Sequence, residues 1–439
     1  MTLCTQASRR DALRIGAASA AWLPAPALPA HSPTQTPSGV LQIVGPWEIG
    51  GLAPARSGHI FTRMQIVETL MNAGDDGTPQ PGLAARWELS ADGLVWRFHL
   101  RPGARFHDGT AVQASAVLRC LDAARVAPAL LSVAPIEAVE AEGPRTLRIR
   151  LSAPYGGLPA LLAHSSTLIL APASYDRNAR VQAIVGSGPY RVAELAAPQK
   201  VEATAFEGYD GPPPAITRVR YLAAGRSETR ALMAEGGQAD LPYGLDPASP
   251  TRLRRRPHLR VETVTLPRTI MLKLNAGLPA LQDVRVRRAL SLAIDRRGIA
   301  KALLRDPELA ATQLLPPTLP AWHDPSLAPL LHDPARAQAL LLQAGWQRTP
   351  DGLRNAQGQP LRLSLRTFPH RPELPLVATA LQDQFRQAGI AVSVAVGNSG
   401  EIPLGHRDGT LELGLAARNY ASVPDPTGTL LQDFGPHGG

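Results

Sequence analysis

Residues 84–119 read AARWELSADGLVWRFHLRPGARFHDGTAVQASAVLR. Leu94, Trp96, Phe98 and Leu100 alternate with Val95, Arg97 and His99, the period of a half-buried strand with its heaviest side chains turned inward. Ser90-Ala91-Asp92-Gly93 separates this run from the one around Trp87. Asp-Gly tolerates the positive φ of a tight hairpin, so the two runs are expected to pair antiparallel. Pro102-Gly103 and His107-Asp108-Gly109 turn the chain, and Thr110 is placed to cap a helix carrying Val112, Ala116, Val117 and Cys120 on one side. The pattern predicts hairpin, turn and helix, with the Trp and Phe side chains in a core. His107-Asp108 reads as a turn; a catalytic pair is the alternative, but no nucleophile lies nearby in sequence.

Around this stretch, 439 residues with 44% hydrophobic and 18% charged side chains give ordinary globular material, enough for two or three domains. A net charge of +9 and a pI near 10.1 would suit a nucleic-acid binder. The arginines, however, are spread along the chain and aromatics make up 5%; the one dense run, Arg252 to Arg256 with Arg260 beyond, reads as a solvated surface rather than a phosphate patch. The eleven histidines show no H-E-x-x-H spacing and there is no Cys-x-x-Cys, so no resident zinc site or other cofactor is expected.

Ser8-Arg9-Arg10-Asp11-Ala12-Leu13, the apolar Ile15 to Leu23 and the small, proline-broken residues to Ala30 form a twin-arginine export signal over residues 1–30, with cleavage after Ala27 or Ala30. Asp11-Ala12 departs from the stronger form of that signal. The apolar run is shorter than the about 20 residues a membrane span needs, and Cys4 precedes it, which argues against a lipid anchor. The mature chain is expected in the periplasm with Cys120 as its lone thiol, so packing rather than a disulfide must hold it.

The spaced motif Trp87-x-x-Ser90-x-Asp92-Gly93-Leu94-x-Trp96-x-Phe98-x-Leu100-Arg101-x-Gly103-x-x-Phe106-His107-Asp108-Gly109 resembles that of the bacterial extracellular solute-binding proteins of family 5, the peptide, nickel and opine receptors of ABC importers. Gly188-Pro189-Tyr190, Asp240-Leu241, the Ile270 to Asn275 strand and Asp283-Val-Arg-Val-Arg-Arg-Ala-Leu-Ser-Leu-Ala-Ile-Asp-Arg296 are similar to further family elements. The resemblance implies an α/β, two-lobed periplasmic-binding-protein-like fold, type II and large, with a small extra subdomain in the first lobe. The first lobe is placed at 38–72 and 186–265, its subdomain at 73–185 and the second lobe at 266–439. The family's closing elements are missing after Phe434, so the second lobe is expected to be incomplete.

The residues themselves add detail. Ile60 to Met71 has helical spacing. Val286, Ala289, Leu290, Ala293 and Ile294 form a helical stripe that Asp283 can cap; Asp295 can cap the next helix, and Asp333-Pro334 can open another that Gly345 ends. Leu361 to Leu365, a helix from Pro372 to Ala388, and Ile390 to Val394 read as a βαβ unit. Leu411 to Leu415 is a further strand, with Tyr420 to Pro426 a loop beyond its end, where α/β lobes bind ligands.

No catalytic constellation is apparent, so capture and delivery of a solute to an importer permease in the cytoplasmic membrane is expected rather than catalysis. A basic nucleic-acid module and a hydrolase are the alternatives from other classes. Peptide receptors of the family carry an Asp where this chain has Ser422. Nickel-chelate receptors carry an Arg and an aromatic there, which Arg418 and Tyr420 match, so the resemblance implies a small peptide or a metal chelate as ligand. Arg63 and Arg125 are the further candidates to hold a carboxylate.

Overall fold

The computed structural model describes residues 2–6, 39–74, 78–126, 130–420, 423 and 425–435. The export signal and Ser422 fall almost wholly outside them; of the signal, Thr2–Gln6 is described as a strand paired antiparallel with Leu259–Thr263.

Three sheets organise the chain. The first has five strands in the order Leu241–Pro242, Leu41–Gly45, Arg218–Ala223, Lys200–Ala205, Tyr190–Ala196. Leu41–Gly45 runs parallel to both its neighbours, and the other pairs are antiparallel. The second is the antiparallel sheet Ala84–Leu89, Val95–Leu100, Thr146–Leu151, Ile136–Ala141, onto which the helix Ala114–Val126 packs. The third has the order Arg268–Leu274, Leu413–Asn419, Arg362–Thr367, Ala391–Val396.

The predicted hairpin is present, with Gly93 at φ 72° in its turn and Trp87 opposite Phe98. Trp96, Phe98 and Leu100 are buried, and Trp96 and Phe98 stack at 6.0 Å. One continuous core runs from this sheet into the five-stranded one. Arg101, just past the strand, joins the two electrostatically: it donates to Glu68 at 2.9 Å and to Asp210 at 2.7 and 2.9 Å. Gly186 and Gly188 let the returning chain lie against the Gln65 and Ile66 carbonyls, where a Cβ would collide with backbone oxygen.

A second core fills the other lobe, built on the βαβ unit Arg362–Thr367, Glu373–Gln387, Ala391–Val396, whose strands pair in parallel. Its helices start as their sequences direct. Asp283 accepts from the Arg285 N–H, Asp295 from Gly298 and Asp333 from Arg336. Gly345 takes φ 86° just past the Pro334–Gln343 helix.

Three elements differ from expectation. The helix near Ile60 is Pro54–Arg63, and left-handed Gln65 follows it. Ile66, Val67, Leu70 and Met71 are buried in a non-helical segment, so their spacing reflected burial on all sides rather than one helical face. Thr110 does not cap the next helix, which begins at Ala114; its hydroxyl donates to Asp108 within the turn at 2.6 Å. Finally, the strand expected to end at Leu415 runs Leu413–Asn419, because Arg268–Leu274 pairs with all of it. Arg418 is therefore a strand residue opposite Thr269, not a loop residue.

Candidate functional site

Chain just beyond the first-lobe strand Leu41–Gly45 carries Trp47, whose ring meets His59 edge-on at 5.4 Å and Tyr243 at 5.5 Å. The Tyr221 hydroxyl donates to the Trp47 carbonyl at 2.7 Å and fixes this wall. Arg63, in the last turn of Pro54–Arg63, lays its guanidinium 4.7 Å from the centre of the Trp47 ring. The cation–π contact and the negative end of the helix dipole hold the guanidinium over that ring.

From the second lobe come Arg268, the first residue of the Arg268–Leu274 strand, and Arg371, just before the Glu373–Gln387 helix. Burial holds the Arg268 guanidinium down at about 10, and the charges of Arg371 and Arg63 add to the effect. Arg371 is lowered by its burial and again by Arg63, with Glu373 opposing. The charges of the three arginines thus reach one another between the lobes. Among the described residues none of them has an ion pair, and the Arg268 Nε is buried without a hydrogen-bond partner. Next to Arg371 a cavity of about 290 Å³ opens between Glu228 and Asp246 of the first lobe and Arg305, Pro372 and Leu376 of the second.

Two imidazoles complete the first-lobe wall. Burial, then Arg63 and His164, depress His59 to about 4, so it is neutral at physiological pH; its Nε2 is buried without a partner. Burial and Arg63 lower His164 too. The Ser166 N–H donates to its Nδ1 at 3.2 Å, which leaves the proton on Nε2 and makes that nitrogen a donor.

The five residues singled out from sequence scatter. Arg63 stands in the cleft. Arg125 does not join it: its guanidinium donates to Asp122 at 2.7 Å and to the Ile136 and Glu137 carbonyls, holding its helix to the neighbouring strand. The expectation of a free guanidinium at Arg418 is corrected as well. Asp433, 1% exposed, accepts from Arg418 through both oxygens and from Lys273 at 3.0 Å, so Arg418 is already engaged inside its own lobe. Tyr420 is buried beside the cleft; its N–H donates to the Pro267 carbonyl at 2.8 Å, next to Arg268, and its hydroxyl has no partner. Ser422 lies outside the described residues.

Past Tyr420 the chain reaches back across the lobes. Val423 joins the first core, and the Asp425 carboxylate lies against Gly157 and, with burial as the larger cause, raises the Tyr155 phenol to about 12. The sequence reading missed Trp47, His59, His164, Arg268, Arg371 and Asp425. Arg371 had a signal, since it follows the carboxyl end of a strand in a βαβ unit; the others come together through long-range packing alone.

Comparison with known proteins agrees with this architecture. The model for bacterial extracellular solute-binding proteins, family 5 (middle), matches residues 78–439. The nickel-binding periplasmic protein of Escherichia coli K12 is 29% identical over 397 residues, which cover 87% of this chain and 75% of that protein. The glutathione-binding protein GsiB of the same strain is 26% identical over 329 residues, 73% of this chain and 61% of its own length. Among solved structures, NikA from Brucella suis in complex with Fe(III)-EDTA superposes with a TM-score of 0.80 at 26% identity, covering 91% of this chain and 83% of that one. DppA from Helicobacter pylori in complex with the peptide STSA gives 0.73 at 25%, covering 89% and 80%. With the family model spanning most of its length and two-lobed binding proteins matching its fold, this chain belongs to family 5 of the bacterial extracellular solute-binding proteins.

Proposed function

We propose that the protein is the periplasmic receptor of an ATP-driven importer, closing its two lobes over a small carboxylate-bearing solute and delivering it to a membrane permease. The observation that carries this reading is the cationic cleft: Arg63 of the first lobe lies over the Trp47 ring, and its charge reaches Arg268 and Arg371 of the second lobe. Two rigid lobes can bury a ligand by hinge closure, and a guanidinium binds a carboxylate through two parallel hydrogen bonds. Metal chelates and short peptides both carry such groups. Relatives that bind nickel, Fe(III)-EDTA, glutathione and a peptide support the class.

Native mass spectrometry of the exported protein, with metal analysis alongside, tests the reading. A carboxylate-bearing solute, free or as a metal complex, is expected. A receptor that captures nothing from any growth medium would remove it. Arg63→Ala is expected to weaken binding of the captured solute by about 1.5–3 kcal/mol, the range for a hydrogen bond to a charged group, in calorimetry. Arg418→Ala is expected to act on stability through Asp433 instead.

We also assign export to the twin-arginine signal at Arg9 and Arg10. No helix among the described residues is long and apolar enough to cross a membrane. Changing both arginines to Lys is expected to leave the precursor inside the cell, and unchanged export in cell fractionation would refute the assignment.

A further inference from the structure

A short segment after Tyr420 touches both cores. Val423 is 6% exposed and packs in the first core, although the strand before it, Leu413–Asn419, belongs to the third sheet. The Asp425 carboxylate lies against Gly157, where any Cβ would overlap its Oδ2 and meet the Tyr155 ring at 3.0 Å. Next, the helix Thr427–Phe434 runs beside Leu130–Val133 of the first core and brings Asp433 to Lys273 and Arg418 of the third sheet. Asp425 to Asp433 forms one rigid piece. The Thr427 N–H donates to Asp425 Oδ1 at 2.7 Å, and the Leu430 N–H donates to the Pro426 carbonyl at 2.8 Å.

The two ends of this piece are anchored unequally. Asp433, 1% exposed, is held by two cations, and pulling it away would leave all three charges uncompensated. The other end has one buried apolar side chain and the contact of a carboxylate with a glycine. Among the described residues Asp425 makes no ion pair, and the neighbouring Tyr155 hydroxyl is buried without a hydrogen-bond partner. A motion that parts the lobes therefore breaks the Val423–Asp425 end and carries the turn and helix away with the second lobe.

Resting on the receptor reading above, we propose that residues 423–434 are an asymmetric strap between the lobes. Its Asp433 end stays fixed to the second lobe, and its Val423–Asp425 end seats beside Gly157 when the lobes close and leaves that seat when they part. The seated contact exists only in the closed form. It therefore shifts the open–closed equilibrium towards closure whatever the solute, and raises the apparent affinity through the larger fraction of closed protein. Gly157 has a role in this device: without a Cβ it leaves room for the Asp425 carboxylate.

Small-angle scattering, hydroxyl-radical footprinting and hydrogen exchange on the full chain, wild type against Gly157→Val, test the strap. The valine side chain fills the seat of Asp425, so the radius of gyration is expected to rise and Tyr155 to become severalfold more reactive to hydroxyl radicals. Arg268–Leu274 and Leu413–Asn419 should keep their exchange rates within about twofold, because the Asp433 end holds. Val423→Ser weakens the same end without filling the seat and should act in the same direction; it decides the matter if Gly157→Val does not fold. Unchanged scattering in the folded variant or an unaltered Tyr155 would overturn the proposal. So would faster exchange in Arg268–Leu274, which would show the Asp433 end letting go. Solute captured during expression is a separate check: less of it in the variants supports a strap that favours closure, and wild-type amounts overturn it. A wild type that captures nothing strikes the receptor reading, and scattering with footprinting then still decides the strap.

Discussion

Asp433→Ala is expected to destabilise the second lobe by about 3–5 kcal/mol, the range for stripping one partner from a buried ion pair. Asp433 is 1% exposed, and the side chain of Lys273, whose ammonium donates to it at 3.0 Å, is 5% exposed. Arg418 donates to both carboxylate oxygens from the neighbouring strand. Without the carboxylate, two cations face each other with little water to screen them. Lys273 should suffer most, because the Arg418 side chain remains 29% exposed and can turn towards solvent. Its ammonium keeps a contact with the Phe434 ring, 5.4 Å away, but a cation–π interaction replaces only part of a buried carboxylate. Arg418→Ala is expected to cost less than Asp433→Ala, since the Lys273–Asp433 pair survives it. Denaturant unfolding followed by hydrogen exchange in Arg268–Leu274 and Leu413–Asn419 checks the ranking. Equal losses for the two variants would show that Lys273 does not depend on the carboxylate.

The same cluster explains what could and could not be read from the sequence. Period-two alternation from Leu94 to Leu100 and the caps at Asp283, Asp295 and Asp333 are local signals, and the structure realises each of them. The βαβ unit was legible for the same reason: its two strands and helix follow one another in the chain. Arg418 was placed in a loop because the partner that prolongs its strand, Arg268–Leu274, lies some 150 residues earlier, a separation given by the pairing of Thr269 with Arg418. Its counter-ion, Asp433, sits on a helix with no sequence feature tying it to Lys273. The cleft was harder still. Arg63 was picked out, but Arg268 and Arg371 reach it from another lobe, and no periodicity reports that meeting. Arg125 shows the converse: an arginine in the last turn of a helix bonds the carbonyls of a neighbouring strand as naturally as it binds a ligand.

Phe98→Ala, at the centre of the stretch that decides the fold, is expected to cost about 3–5 kcal/mol, through lost transfer energy and the cavity left behind. Phe98 is fully buried, lies opposite Leu147 on one side and Trp87 on the other, and stacks on Trp96. The surrounding core cannot collapse into the space easily, because Leu147 and Ile149 are held by strand pairing and Val117 and Leu121 by the helix above. Trp96→Phe makes the informative control. Trp96 is 7% exposed and its Nε1 is buried without a partner, so the substitution removes an unmet donor along with some volume. The two terms oppose each other, and a net cost smaller than that of Phe98→Ala is expected. The chain has more than one core, so a single unfolding midpoint is an unsafe measure. Hydrogen exchange in Val95–Leu100 and Thr146–Leu151, compared with Arg362–Thr367 as a reference in the other lobe, resolves the effect by region. Protection lost from the first two strands alone would match a cavity local to this sheet. Loss in all three strands would mean that the lobes unfold as one unit, coupled through the Val423 contact with the first core.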